Sequence, residues 1–274
     1  MIKSMYSAVT GLRNHQTMLD VIGNNIANVN TTGFKSSSVL FTDLYYQTLS
    51  AESAATATSG GSEINQIGYG STLSSIEINT SRSGYKQTGS TLDMYISGEG
   101  YFVVQDATSD ILYTRVGSFE FNSDGSLVDS NGNFVLGVME GALTDDLTKL
   151  TITDFSDYTG LSISERGTIT GTNSVTNTID VLGSVMLAVF ANPSGLSQEG
   201  NMNYKESSSS GVPLITNAGS SITGTLISGG LEMSNVDLTK EFTDMIIAQR
   251  GFQANSRVIT TSDQVLEELV NIKR

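Results

Sequence analysis

The chain has 274 residues, 38% of them hydrophobic, with two prolines, no cysteine and a formal net charge of −14. That length and apolar content support one or two domains with a real core and exclude wholesale disorder. The charge excludes a nucleic-acid surface, the lack of an 18-residue apolar run excludes a transmembrane helix, and the lack of cysteine excludes disulfides, thiolate metal sites and cysteine nucleophiles.

The first predicted element runs from Met1 to about Asn30. Ile2, Met5, Val9, Leu12, Gln16, Leu19, Gly23 and Ile26 recur at spacings of three and four, a heptad stripe with Gln16 and Gly23 as weak knobs. Ile22 and Val29 keep helical spacing with Leu19 and Ile26. Yet Gly23, Asn24, Asn25, Asn28 and Asn30 between them are poor helix formers, so this helix is expected to fold only against partners. Gly33, after Thr31 and Thr32, is expected to stop it. The leading MIKSMYSAVTGLRNHQ lacks the apolar core of a signal peptide.

Residues 36–235 read as β structure, rich in Ser, Thr, Gly and Asn. SAESAATATSGGS, residues 50–62, reads as an exposed low-complexity loop. YFVVQD, LYTRVGSFEF, SLV and FVLGV are short strands. Asp124-Gly125 and Asn131-Gly132 between them are expected to make two-residue hairpins. LSISERGTIT and SVMLAVFAN read as further strands, the second apolar enough for a sheet core.

The last element, Val236–Arg274, carries a second stripe: Leu238, Phe242, Met245, Gln249, Phe252, Ser256, Ile259, Asp263, Leu266 and Val270. Ser234 and Asp237 have capping-box spacing. Residues 1–35 carry two net positive charges and residues 237–274 one net negative charge, which leaves −15 for residues 36–236. Near-neutral ends and an acidic middle suit packed termini and a solvated body.

Catalytic patterns are not found. The single histidine, His15, has no triad partners and reads as an ordinary surface or contact residue. SGEGYFVV leads into a strand, whereas a phosphate loop needs a helix N-terminus. DSNGN lacks the sixth-position Gly and twelfth-position Glu of a calcium loop. No enzyme activity, cofactor or metal is expected.

The motifs carry a resemblance. LDVIGNNIANVNTTGFK resembles the N-terminal signature of the bacterial flagellar rod and hook axial proteins. GGLEMSNVDLTKEFTDMIIAQRGFQANSRVITTSDQVLEELVNIKR resembles the same family's C-terminal segment, and TGSTLDMYISGEGYFVV its lead into the first β domain. The matching residues include Gly23, Asn24, Asn25, Asn28, Gly33, Phe34, Ser234, Asn235, Gln249 and Arg250. The resemblance implies an α+β, mainly β fold. Residues 1–32 and 236–274 would pair as a coiled-coil inner domain, 33–80 would form a linker or hairpin region, and 81–235 a β-rich outer domain. It also implies a self-assembling helical homopolymer held by Met5, Val9, Leu12, Leu19, Ile22, Ile26, Val29, Leu238, Phe242, Met245, Phe252, Ile259, Leu266 and Val270. Partners would be the rod, hook cap and hook–filament junction proteins and the flagellar type III export apparatus. Its place would be the extracellular flagellum, reached without a cleavable signal peptide. Within the family, SNVDL with the following TKEFTDMIIAQRGFQ, together with the length, points to the short hook subunit that bends as a universal joint. The distal rod protein is the alternative.

Overall fold

The computed structural model describes residues 2–52, 54, 60–139, 147–153 and 155–272. Most of the low-complexity stretch 50–62 lies outside these residues. The chain forms two compact units: residues 1–29, 36–79 and 236–274 make the first, and residues 30–35 and 80–235 the second.

The first unit holds α1 (Ile2–Ala27), β1 (Ser37–Asp43), β2 (Tyr46–Ser50), β3 (Asn65–Gly68), β4 (Ser71–Ile78) and, at the end of the chain, α2 (Leu238–Ile272). The helix α1 ends at Ala27, where Asn28 donates its backbone N–H to the Asn24 and Asn25 carbonyls. Its stop is therefore not Gly33, six residues on. Gly33 has φ +71 and belongs to the second unit, where a β-carbon on it would meet the Val116 side chain at 2.9 Å. At the start of α2 the expected Ser234 cap is replaced by Asp237. Its carboxylate accepts the Thr239 N–H at 2.9 Å and the Lys240 N–H at 3.4 Å, the donors a helix start leaves free. With no Gly or Pro after Gly251, α2 then runs for 35 residues, about 52 Å. The strands form two antiparallel ribbons, β1 with β4 and β2 with β3. Both ribbons leave apolar residues in water, among them Leu40, Phe41, Tyr46, Leu49, Ile67 and Ile76.

The second unit contains β5 (Tyr85–Gln87), β6 (Met94–Ser97), β7 (Tyr101–Gln105), β8 (Ile111–Thr114), β9 (Phe119–Phe121), β10 (Leu127–Asp129), β11 (Phe134–Met139) and β12 (Thr148–Lys149). It continues with β13 (Tyr158–Ile163), β14 (Thr168–Asn173), β15 (Ile179–Val189), β16 (Ser197–Gly200), β17 (Asn203–Lys205), β18 (Leu214–Asn217), β19 (Thr225–Ser228) and β20 (Gly230–Glu232). Twelve of these make one sheet whose main path is β13-β14-β15-β11-β7-β8-β17-β16.

The YFVV run of β7 is apolar throughout because it is buried on both faces. Phe102 and Val104 face one core with Phe119, Leu127, Val135, Val185 and Leu187. Tyr101 and Val103 face a second with Tyr113, Ala188, Phe190 and Tyr204. The expected strand SVMLAVFAN covers the buried half of β15 as far as its end at Val189, with Phe190 just beyond it, and feeds both cores.

The two glycine hairpins form with longer loops than expected. Between β9 and β10, Phe121 pairs Leu127, and the Asn122 side chain accepts the N–H groups of Asp124 and Ser126. That side chain stabilises a five-residue loop in place of a two-residue turn. Between β10 and β11, Asp129 accepts the Gly132 N–H and donates to Asn133, a three-residue loop with Gly132 at φ +84. LSISERGTIT, expected as one strand, is a hairpin closed by Gly167.

Candidate functional site

The two helices of the first unit run antiparallel, and their contact is built from small and polar side chains. Asn25 of α1 meets Glu241 of α2, His15 meets Gly251, and Gly11 meets Asn255. Moving from His15 back to Gly11 is four residues, and from Gly251 on to Asn255 is also four, so the register holds one for one. Each helix supplies one glycine and one polar side chain seated on the other's glycine. The Asn255 amide nitrogen lies 2.7 Å from where a β-carbon on residue 11 would sit, and the His15 ring would clash with one on residue 251. Ala8, at 4% exposure, and Ala248, at 0%, are buried in the same unit.

Asn25 explains much of the Asn-rich motif. Its amide donates to the Ser37 carbonyl at 2.8 Å and to the Glu241 carboxylate at 3.2 Å, and its carbonyl accepts the Ser37 N–H at 3.0 Å. One side chain thus holds the start of β1 and the first turn of α2 against α1. The buried Glu241 carboxylate sits where the positive end of the α2 dipole favours an anion. Asn14 donates to the Ser71 hydroxyl at 2.8 Å and holds β4 in the same way. Asn28 binds back to the Asn24 carbonyl at 2.9 Å, and Asn24 and Gly23 are exposed.

The expected apolar stripes sit elsewhere on the helices. Of the expected apolar positions in α1 only Ile22 is buried. Met5, Leu12, Leu19 and Ile26, with Val29 beyond the helix end, are half-buried, and Val9 is exposed. In α2, Met245, Ile259 and Leu266 are half-buried, while Leu238, Phe242, Phe252 and Val270 are exposed at 39%, 50%, 37% and 65%. Gln249 and Arg250 are exposed, and Arg250 donates to Gln253 at 3.1 Å. The face on which α1 and α2 meet was missed at the sequence level. Its signal is a second stripe at three-and-four spacing, Ala8, Gly11, His15, Met18, Ile22 and Asn25, which a count of apolar residues passes over.

The second unit has its own buried polar centre. Glu232, 2% exposed, accepts from Lys35 at 2.6 Å, from Arg115 at 3.5 Å and from the Ser83 N–H at 3.2 Å. Lys35 also donates to the Ser81 carbonyl at 2.9 Å, and its ammonium pKa is lowered, chiefly because burial strips its water. The Arg115 guanidinium lies 5.2 Å from the Tyr101 ring centre, a cation–π distance. Gly33 donates to the Glu232 carbonyl, Asn235 donates to the Phe34 carbonyl, and Ser83 donates to the Ser234 carbonyl. The family-motif residues at 33–34 and 234–235 therefore flank one buried ion cluster. Its three charges are engaged with each other, and they have the form of a structural clasp. Among the described residues no three His, Asp or Glu side chains are grouped as metal ligands.

Known proteins match along the whole length. Three family descriptions fit in order: "Flagella basal body rod protein" over residues 5–35, "Flagellar hook protein FlgE/F/G D1 domain" over 95–171, and "Flagellar basal body rod FlgEFG protein C-terminal" over 227–272. The "Flagellar basal-body rod protein FlgG" of Bacillus subtilis is 47% identical over 275 residues, covering all of both chains. The protein of that name in Borreliella burgdorferi is 34% identical over 275 residues, again covering both chains. The "Flagellar hook protein FlgE" of the same organism is 28% identical, over an alignment of 443 residues spanning both chains. The three motifs, the mainly β body with its two terminal helices and the full-length relatives agree: the chain belongs to the bacterial flagellar rod and hook family, whose members are structural components of the flagellum.

Proposed function

We propose that the chain is a subunit of the distal rod of the flagellar basal body, a helical homopolymer that carries torque outward to the hook. The observation that carries this reading is length together with identity. The chain aligns end to end with the rod proteins of two organisms at almost its own length, whereas the hook protein of one of them needs 443 alignment positions and is less similar. The hook reading drawn from SNVDL and chain length gives way, because that length equally suits the rod proteins.

The exposed stripes supply the means of assembly. With the small, polar faces of α1 and α2 spent on each other, Val9, Leu238, Phe242 and Phe252 remain in water as an apolar surface. Copies that bury these residues against one another gain about 25 cal/mol for each Å² removed from water. Partners are then further copies, with the neighbouring rod segment and the hook at the two ends. Export through the flagellar type III apparatus in an unfolded state fits a helix pair whose individual helices are weak alone.

Gold-labelled antibody on isolated hook–basal bodies tests the placement. Label is expected on the straight segment between the membrane rings and the hook; label along the curved hook would restore the hook reading. Phe242→Asp tests the interface: the variant should fold with unchanged helical signal and fail to polymerise.

A further inference from the structure

We infer that the cleft beside β8, β17 and the β16–β17 turn binds a calcium ion, with the Asn203 side-chain oxygen and the Glu199 and Asp110 carboxylates as its protein ligands. The site belongs to the second unit alone and does not depend on the polymer reading.

Asn203 opens β17 and is 5% exposed, yet its Oδ1 has no hydrogen-bond donor among the described residues. A buried carbonyl oxygen is nearly always paired, so this one marks a place for a ligand. Its direction follows from the strand. Tyr204 pairs with Tyr113 across β17 and β8, and both face the second core. Successive side chains of a strand point to opposite faces. Asn203 and Leu112 therefore turn away from that core, and both line a cleft of about 270 Å³. Gly200 pairs with Asn203, which sets Glu199 beside it across the turn. The Met202 carbonyl accepts the Thr114 hydroxyl at 3.1 Å and pins that turn to β8.

The charges of the cleft favour a cation. Asp106, Asp110 and Glu199 line it against the single ammonium of Lys205. Lys205 shows where two of these carboxylates converge. Its ammonium lies 2.8 Å from the Asp110 carboxylate, and its pKa is raised, first by that hydrogen bond and in smaller part by the charge of Glu199. Lys205 also stands two residues from Asn203, on the same face of β17. One ammonium is thus within reach of both carboxylates and beside the position that carries the unpaired oxygen, which it leaves unserved. Lys205 and Asp110 are 41% and 57% exposed, so their ion pair is weak and open to exchange. A calcium ion takes carboxylate, amide and water oxygens together at flexible angles, whereas magnesium demands a tighter octahedron and zinc prefers nitrogen and sulfur. Among the described residues no three acidic side chains close on one point. Two carboxylates completed by an amide oxygen and water give a weak site, with a dissociation constant of about 0.1–1 mM. A bound ion would tie the β7–β8 loop to the β16–β17 turn and stabilise the second unit.

Isothermal titration of the full-length chain, freed of metal with a chelator, tests the site with calcium chloride alone as the probe. One ion per chain is expected in that range of affinity, with magnesium at least about tenfold weaker. No saturable binding, a weaker constant, or magnesium within tenfold of calcium would reduce the cleft to a diffuse acidic surface and overturn the inference. Glu199→Gln removes one ligand charge on an exposed residue and should weaken calcium binding by about fivefold or more; a smaller change would also overturn it. Asn203→Leu removes the unpaired oxygen at similar volume. Without calcium it should melt at or above the wild-type temperature, and calcium should no longer raise that temperature. A calcium-dependent rise more than half that of the wild type would count against Asn203 as a ligand and overturn the assignment. Should Asn203→Leu fail to fold, the Glu199→Gln titration decides alone.

Discussion

Asn255 of α2 is seated on Gly11 of α1, and four residues along, His15 of α1 is seated on Gly251 of α2. This exchange lets the two helices approach closely enough for a polar seam to hold, and it reverses the usual expectation for glycine in a helix. Replacing a helical Gly with Ala ordinarily stabilises by about 1 kcal/mol. Here Gly251→Ala drives a methyl group into the His15 ring and should destabilise the helix pair by about 1–3 kcal/mol. The added variant His15→Ala should recover most of that loss. Thermal melts followed by the helical circular dichroism signal check both; an increase in melting temperature for Gly251→Ala alone would refute the close-approach argument.

Asn25 makes three hydrogen bonds that no apolar residue can replace. Asn25→Ala leaves the Ser37 backbone and the buried Glu241 carboxylate short of partners, at a cost of about 2–4 kcal/mol. Asn25→Asp should be worse at neutral pH, because it sets two carboxylates together. Its penalty should shrink in acid, where the introduced carboxyl takes up a proton and the repulsion is lost. Denaturant midpoints of the two variants at pH 7 and pH 4 give the comparison.

The ion cluster of the second unit holds two cations and one anion. Glu232→Gln leaves Lys35 and Arg115 buried without a counter-charge and should cost about 3–5 kcal/mol. Lys35→Met leaves the Arg115–Glu232 pair intact and should cost far less. The pH dependence has a definite sign. The folded-state pKa of Lys35 is lowered, so between that value and about 10.4 the unfolded chain binds more protons, and stability from this group rises with pH. The rise should disappear in Lys35→Met. Urea titrations of both proteins across the alkaline range measure it.

Two buried phenols act in the opposite sense at higher pH. Burial pushes Tyr113 and Tyr204 up to about 12, so each keeps its proton in the fold after the unfolded chain has lost it near 10. Their contribution to stability is intact below about pH 10 and declines as pH rises through 12, by up to about 2–3 kcal/mol for each buried ring. Alkaline unfolding of the β body should therefore begin above pH 10, and Tyr204→Phe should move its midpoint upward. Tyrosinate absorbance and loss of the β signal should rise together.

The sequence by itself determined the two terminal helices and the β character of the body between them, because these rest on local physics. The 3.6 period wrote α1 and α2 close to their observed ends, short apolar runs wrote β7 and β15, and Asp-Gly and Asn-Gly pairs marked where strands turn. The same reading recognised the family from three separated motifs. What it could not decide was which face of a helix meets which partner. Three-and-four spacing is satisfied at once by Met5, Val9, Leu12 and Leu19 and by Ala8, Gly11, His15 and Ile22, and hydrophobicity selects the first set. Tertiary structure chose the second for the contact between α1 and α2. Glycine there admits a polar side chain into a space no apolar one of that size needs, and Asn25 satisfies backbone groups of β1 and a carboxylate of α2, partners that lie 12 and 216 residues away. Burial on both faces of β7, the Asn122-held loop and the meeting of Lys35 with Glu232 likewise depend on residues distant in sequence. No local pattern carries them, because the free energy that fixes each side chain comes from its neighbours in space.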